Sequence, residues 1–167
     1  MQFRDVAVST PVGNPLDTIE QIVVAESWPF DRTGDDELNI SVSGQWSDYQ
    51  LTFNWREDLE ALHLACAFDV KVPESKRTEV YTLLALINEQ MWIGHFDLWS
   101  DEGVILFRHG VLMHGGAVAT VEQCEAMVRL SVEACERYFP AFQFVLWAGK
   151  TAAEAISSCM FDVEGTA

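Results

Sequence analysis

Basic residues are scarce in this sequence. Lysine and arginine together number 10 against 26 aspartates and glutamates, which gives a formal net charge of −16 and a pI near 4.4. Binding to nucleic-acid phosphates needs clustered basic side chains, and Lys71, Lys76 and Arg77 are the nearest approach to such a cluster. We therefore expect no nucleic-acid partner. An acidic surface is typical of a well-solvated protein, and it also repels unsuitable partners or attracts a basic one.

Long apolar runs are absent as well, although 49% of the residues are hydrophobic. A membrane-spanning helix requires about 20 predominantly apolar residues, and no uninterrupted stretch approaches that length. No basic, apolar, small-residue leader opens the chain. We therefore expect a cytoplasmic protein without a membrane partner, and its 167 residues suit a single domain.

The cysteines form no C-x-x-C pair, so a zinc knuckle is unsupported. Four are present: Cys66, Cys124, Cys135 and Cys159. Cys66 falls in an apolar strand pattern, and Cys124 and Cys135 fall in an apolar helix pattern. Reduced cysteines at such positions pack as small hydrophobes, so we expect thiols and not disulfides.

Catalytic and cofactor motifs are lacking too. There is no G-x-S-x-G elbow, no G-x-G-x-x-G and no Walker lysine beside Gly115-Gly116. Adjacent carboxylates occur at Asp35-Asp36, Glu57-Asp58 and Asp101-Glu102, all in predicted turns, where solvated charge is the usual role. We expect no enzyme, no cofactor and no bound metal, and we assign no catalytic, cofactor-binding or metal-binding residue.

What the sequence does contain is an amphipathic helix that leads into a hydrophobic hairpin, between residues 73 and 113. The apolar stripe of the helix consists of Val80, Leu83, Leu84, Ile87 and Met91. Gly94 is a natural end for this helix because it tolerates left-handed backbone angles. Strands are predicted over residues 95–99 and 104–113, joined by a short turn that contains Gly103.

The elements around this unit predict an α+β fold. Asn14 and Pro15 begin a first helix, which Trp28-Pro29 ends. Alternating patterns then predict four strands, over residues 30–32, 38–43, 49–56 and 62–70. A capping box of Thr120 and Gln123 opens a long helix that ends at Pro140, and shorter helices follow at 141–148 and 151–158. We expect an antiparallel meander of about five to six strands with helices packed on it.

The domain boundaries follow from the same elements. Residues 1–13 carry no period and are expected to form an irregular lead. Residues 14–158 are expected to form the single α+β domain, and residues 159–167 a C-terminal tail.

The strand at 62–70 is predicted to have two faces that are both partly apolar. Leu64, Cys66 and Phe68 share one face, while Ala65 and Ala67 lie on the other. The small residues indicate a thin strip that either a helix of this chain or a second copy covers. Because one chain of this length has little helix to cover both faces of a sheet, we expect a homodimer through this strip.

Histidines supply the alternative functional hypothesis. All four lie in or near predicted strands: His63, His95, His109 and His114. His95 faces either Arg108 or His109, depending on the hairpin register, with Asp97 two residues along on the same side. Such a pair gives at most two of the three or four ligands that a metal site needs. A metal- or small-molecule-binding pocket that contains His95, Asp97 and His109 is nevertheless the alternative.

Tryptophan is unusually frequent, with six in the chain. Trp55 and Trp92 fit the predicted core. Trp46 falls in a turn and Trp99 on the other face of the hairpin. Either of these two is a candidate exposed anchor for a partner.

The sequence also resembles a known family, the YbjN-type family of small bacterial proteins. The residues that carry the resemblance are Gly44-Gln45-Trp46, Tyr49, Trp55, Leu64, Cys66, Phe68-Asp69, Val72-Pro73, Asn88, Gly94-His95-Phe96-Asp97-Leu98, Gly103, Ile105 and Phe107-Arg108. The resemblance spans about residues 14–158 and is strongest over 88–108. No site residues come with it, because such families are recognised by pattern over length.

The resemblance implies a fold similar to that of the type III secretion chaperones, which are small, acidic, cytoplasmic dimers that hold other polypeptides. YbjN-type proteins are labelled as sensory transduction regulators. Together with the missing catalytic groups, this implies a non-enzymatic module, chaperone-like or regulatory, that engages another polypeptide. The chain departs from the family pattern in its apolar, cysteine-bearing C-terminal segment.

Overall fold

The computed structural model describes residues 13–164. It contains four helices and six strands, in the order α1 (Pro15–Glu26), β1 (Phe30–Thr33), β2 (Glu37–Ser43), β3 (Asp48–Arg56), β4 (Ala61–Lys71), α2 (Arg77–Asn88), β5 (His95–Trp99), β6 (Val104–Leu112), α3 (Val121–Leu146) and α4 (Ala152–Glu164). The strands form one sheet in the order β1-β2-β3-β4-β6-β5, and every neighbouring pair is antiparallel. The predicted α+β class with an antiparallel sheet is therefore confirmed.

Helix α1 begins as its sequence predicts. The side-chain oxygen of Asn14 accepts a hydrogen bond from the backbone N–H of Leu16 at 2.9 Å, and Pro15 occupies the first turn, where no backbone N–H is needed. The helix ends at Ser27, which adopts a left-handed conformation. Most of the irregular lead expected for residues 1–13 lies outside the described residues.

Helix α2 ends earlier than predicted. It stops at Asn88, and Gly94 instead turns the chain into β5 with a φ of 68°. Met91 therefore lies beyond the helix, although it still packs against the core. The apolar spacing alone could not reveal this end, because Met91 continues the helical period in sequence.

Helix α3 is longer than predicted. It continues through Pro140 to Leu146, so the separate helix expected at 141–148 does not exist. A proline inside a helix costs about 3 kcal/mol. That cost is offset because Phe142 and Val145, which follow the proline, are buried on the same face as Phe139, and burying such a side chain contributes about 1.5–3 kcal/mol. The predicted capping box is present, since Thr120 Oγ1 accepts from the Gln123 N–H at 3.2 Å.

Helix α4 packs on α2 and α3. It extends to Glu164, past the end expected at residue 158, and Cys159 is buried within the core. None of the four cysteines forms a disulfide, and all are buried. The sulfur atoms of Cys66 on β4 and Cys135 on α3 lie 3.5 Å apart, and burial raises the pKa of Cys135 well above its usual value.

The core lies between the helices and one face of the sheet. Its centre is a group of aromatic rings at 5.4–6.1 Å around Phe68: Tyr49, Phe96, Phe139 and Phe142. On the other face, which we call the open face, the strand side chains are half-exposed or exposed, except that of Leu106. No helix within residues 13–164 covers the open face.

Candidate functional site

The hairpin register separates the histidines that the alternative hypothesis needs. His95 pairs with Arg108 on β6, which places His95 and Asp97 on the open face. His109 pairs with the core residue Leu64 and points to the helix-covered side. A pocket that holds all three side chains therefore cannot form. Among the described residues, no group of three or more His, Cys, Asp or Glu side chains is placed to hold a metal ion.

The open face instead carries an ion pair. Arg108 Nη1 lies 3.1 Å from Asp97 Oδ2, and Arg108 Nε donates to His63 Nε2 at 3.2 Å. Partial burial, and then the neighbouring positive charge of Arg108, lower the pKa of His63. His63 is therefore a neutral acceptor at neutral pH, and the arrangement fixes side chains on the surface of the sheet.

The strongest part of the family resemblance has a structural explanation. The Asn88 side chain accepts from the Phe96 N–H at 2.8 Å and donates to the Phe96 carbonyl at 2.9 Å, so it pairs with the outer edge of β5. A Cβ on Gly94 would collide with the ring of Phe107 and the carbonyl oxygen of Arg108. These two residues fix the path of the loop between α2 and β5.

That loop forms one wall of an apolar pocket of about 280 Å³. The other walls come from the ends of β4 and β6, the loop after β6 and the first half of α3. The pocket is lined by Leu62, Ile93, Phe107, His109, Val111, Leu112, Met113, Ala117, Val118, Ala119, Gln123, Ala126, Met127 and Leu130. Only His109 and Gln123 among these residues carry polar side chains.

The mouth of the pocket is apolar and exposed. Leu112 is 73% exposed, Val118 is 62% exposed, and Ile93 is also exposed. Trp92, next to Ile93 in the chain, is 100% exposed, so its predicted place in the core is wrong. It lies outside because α2 ends at Asn88 and the helical period no longer determines which side chains are buried. We call Trp92, Ile93, Leu112 and Val118 the apolar rim.

His109 is the ionisable group in the pocket. Its side chain is half-buried. Burial, and to a smaller extent the nearby His95, lower the pKa of His109. The imidazole is therefore neutral at neutral pH, and the pocket presents an apolar surface with hydrogen-bonding groups but no charge.

Sequence reasoning missed this pocket because its walls come from four separate segments. One signal was available, namely apolar residues such as Leu112, Val118 and Val121 in a region that reads as strand end and loop. The two tryptophans predicted as exposed anchors, Trp46 and Trp99, are indeed about half-exposed, at 47% and 46%. Neither of them lines the pocket.

Comparison with known proteins identifies the family. The model of the YbjN family, described as a putative bacterial sensory transduction regulator, matches residues 15–144. The chain belongs to the YbjN family. Among solved structures, it is similar to the crystal structure of YbjN from E. coli, described as a putative transcription regulator, with 17% sequence identity and a TM-score of 0.52. The similarity covers 71% of this chain and 84% of that one, and it supports the fold.

No curated protein matches the chain. Within the described residues, no helix has the length and apolar character that crossing a membrane requires. The YbjN match covers α1 through most of α3 and so includes every segment that forms the apolar pocket. The likeness to type III secretion chaperones stays a prediction.

Proposed function

We propose that this chain is a non-enzymatic binding module, chaperone-like or regulatory, that engages another polypeptide in the cytoplasm through the apolar pocket and its rim. The observation that carries the proposal is the exposed rim around an open apolar pocket. Exposed apolar patches on a folded domain mark interaction surfaces. The description of the family as regulators and the absence of a recognisable catalytic motif are compatible with this function.

The composition of the rim supports a polypeptide partner. Aromatic and aliphatic side chains around a concave centre are typical of the energetically dominant part of protein interfaces. Trp92 has the largest side chain of the rim, and it is fully exposed to solvent in the isolated chain. Covering a residue of the size of Leu112 fully contributes about 1.5–3 kcal/mol, before the cost of association is subtracted.

The proposal can be tested with a substitution that fills the pocket and leaves the residues of the apolar rim unchanged. Ala126 lies on the wall formed by α3, so Ala126→Phe should occupy the space that a partner side chain needs. Ala153→Phe, at an exposed site on α4, adds the same side chain away from the pocket. In pull-downs from bacterial lysate at mild salt, the wild type and Ala153→Phe should retain a polypeptide that Ala126→Phe loses, while both variants keep wild-type circular dichroism.

A small apolar ligand in the same pocket is the competing function. In that case native mass spectrometry of the purified protein would show a retained small molecule, displaced in Ala126→Phe, and the pull-downs would show no polypeptide that depends on the pocket. That pair of results would overturn the polypeptide-binding proposal.

We also propose that the protein is a homodimer through the open face. Ala65 and Ala67 on β4 lie beside Arg108 and Leu106 on β6, and the two alanines leave room for a second sheet to approach. Each copy has a net charge of −16, so the two copies repel each other. Association should therefore strengthen as salt screens this repulsion. Sedimentation should show a dimer that Ala65→Glu dissociates. A monomer at high protein concentration and moderate salt would rule the dimer out, and a dimer unaffected by Ala65→Glu would place the interface elsewhere.

A further inference from the structure

No lysine or arginine lines the apolar pocket. Arg108 and Arg129 are the only arginines from 78 to 136 in the sequence, and there is no lysine in that range. Arg108 points to the open face, where it pairs with Asp97. Arg129 bonds to Glu133 at 3.2 Å, one turn further along α3, and does not line the pocket. The pocket and its rim therefore lack a fixed positive charge.

Acidic residues are close neighbours of the residues that line the pocket, although none of them lines it. Glu122 lies one turn before Ala126 on α3, so the two side chains share one face of the helix. Hydrogen bonds from the backbone and from Thr120 lower the pKa of Glu122, which is exposed and keeps its negative charge. Glu60 adjoins the lining residue Met113, because the Glu60 carbonyl accepts from the Met113 N–H at 2.7 Å. The Glu60 carboxylate contacts His114 at 3.0 Å.

The volume sets the size of the group that enters. A cavity of about 150 Å³ holds a benzene-sized group. The pocket of about 280 Å³ thus has room for one large aromatic or aliphatic side chain, with neighbouring aliphatic groups resting on the rim. An acidic or phosphorylated group is disfavoured there because no cation faces it.

We propose that the polypeptide recognised by the pocket is a basic segment in which a bulky apolar side chain enters the cavity and flanking lysines or arginines face Glu122 and Glu60. This inference rests on the proposed polypeptide-binding function and names the chemistry of the partner. Apolar contact supplies the affinity, and opposite charge selects the partner and accelerates the encounter. A bacterial membrane, which is also apolar inside, carries anionic lipids that the surface of −16 net charge repels.

Three fluorescein-labelled peptides of 16 residues test the chemistry by fluorescence anisotropy. The first places leucines at the spacing of one helix face with lysines elsewhere, the second replaces the lysines by glutamates, and the third replaces the leucines by serines. We expect the leucine–lysine peptide to bind about tenfold or more tightly than either of the others. Its affinity should fall when salt rises from about 50 to 300 mM, because the Debye length shortens.

Two pairs of variants distinguish peptide binding at the pocket from general electrostatic attraction of a basic peptide to the acidic surface. Ala126→Phe should abolish binding of the leucine–lysine peptide, and Ala153→Phe should leave it unchanged. Glu122→Gln should weaken binding several-fold, whereas Glu102→Gln, in the exposed turn between β5 and β6, should not.

Each outcome decides between the two proposals. If the lysine and glutamate peptides bind equally and both are lost in Ala126→Phe, the charge inference is overturned while the polypeptide-binding function stands. If the binding of no peptide responds to Ala126→Phe, the proposed function fails as well. Sedimentation of the protein with phosphatidylcholine vesicles, in the absence of peptide binding, would identify a lipid surface as the occupant and overturn both.

Discussion

The two faces of the sheet differ in what stabilises them. The covered face buries a continuous aromatic and aliphatic core against all four helices. The open face is held by polar contacts between neighbouring strands, such as Thr52 Oγ1 to Asn39 Oδ1 at 2.7 Å and the Arg108–Asp97 pair at 3.1 Å. The alternation of strand side chains assigns neighbours such as Leu64 and Ala65 to opposite environments.

This difference assigns stability of the fold mainly to the covered face and recognition of a partner to the region where the helices stop covering the sheet. Burial of apolar surface dominates folding energetics, so the covered face determines whether the chain folds. The open face contributes little to folding, because its ion pairs and hydrogen bonds exchange with water. The apolar pocket lies where the cover ends, at the junction of β6 and α3, and there apolar side chains remain available to a partner.

The largest effect is expected from the covered face. Leu84 is 6% exposed in the middle of the buried stripe of α2, so Leu84→Ala should lower the free energy of unfolding by about 2–5 kcal/mol. Glu89→Ala, at an exposed position just beyond the same helix, should change it by less than about 0.5 kcal/mol. Urea unfolding of both variants measures the difference. Equal midpoints would mean that the covered face does not dominate stability.

The sequence predicted the sheet well because each strand has one buried and one open face. Alternation located β2, β3 and β4 to within a residue or two, and β5 at its observed ends. The ends of α2 and α3 could not be predicted in this way. They depend on tertiary contacts, namely the pairing of Asn88 with β5 and the burial of Phe142 beyond Pro140.

The apolar pocket could not be predicted from the sequence because it, too, depends on tertiary packing. Its walls include Leu62, Ile93 and Leu130, which meet only after the sheet and α3 have packed. The register of the β5–β6 hairpin could not be determined from the sequence either. That register places His95 opposite Arg108 and not opposite His109. The prediction that Trp92 lies in the core extended α2 past Asn88. Because that helix end was wrong, the exposed apolar rim was not predicted.

An intermediate effect is expected where the covered face meets the edge of the sheet. Asn88→Ala removes both hydrogen bonds to the Phe96 backbone, so unfolding free energy should fall by about 1–3 kcal/mol. Asn54→Ala removes a 3.3 Å bond to Glu37 on the open face, where water replaces the lost partner, and should cost less than about 0.5 kcal/mol. Thermal unfolding of the two variants compares them, and a larger loss in Asn54→Ala would reverse the assignment of stability to the two faces.

The smallest effect belongs to the open face and depends on pH. The pKa of His63 is lowered in the folded chain, by burial first and by Arg108 next, so the unfolded chain binds a proton more readily. The resulting stability is fully present above the unfolded pKa of about 6.5 and is lost as the pH falls through the window between that value and the lower folded pKa. His63→Gln retains an oxygen that can accept from Arg108 Nε but does not titrate. Urea midpoints measured at intervals between pH 7.5 and 5 should therefore decline less steeply in His63→Gln than in the wild type. Parallel declines would show that protonation of His63 is not coupled to folding.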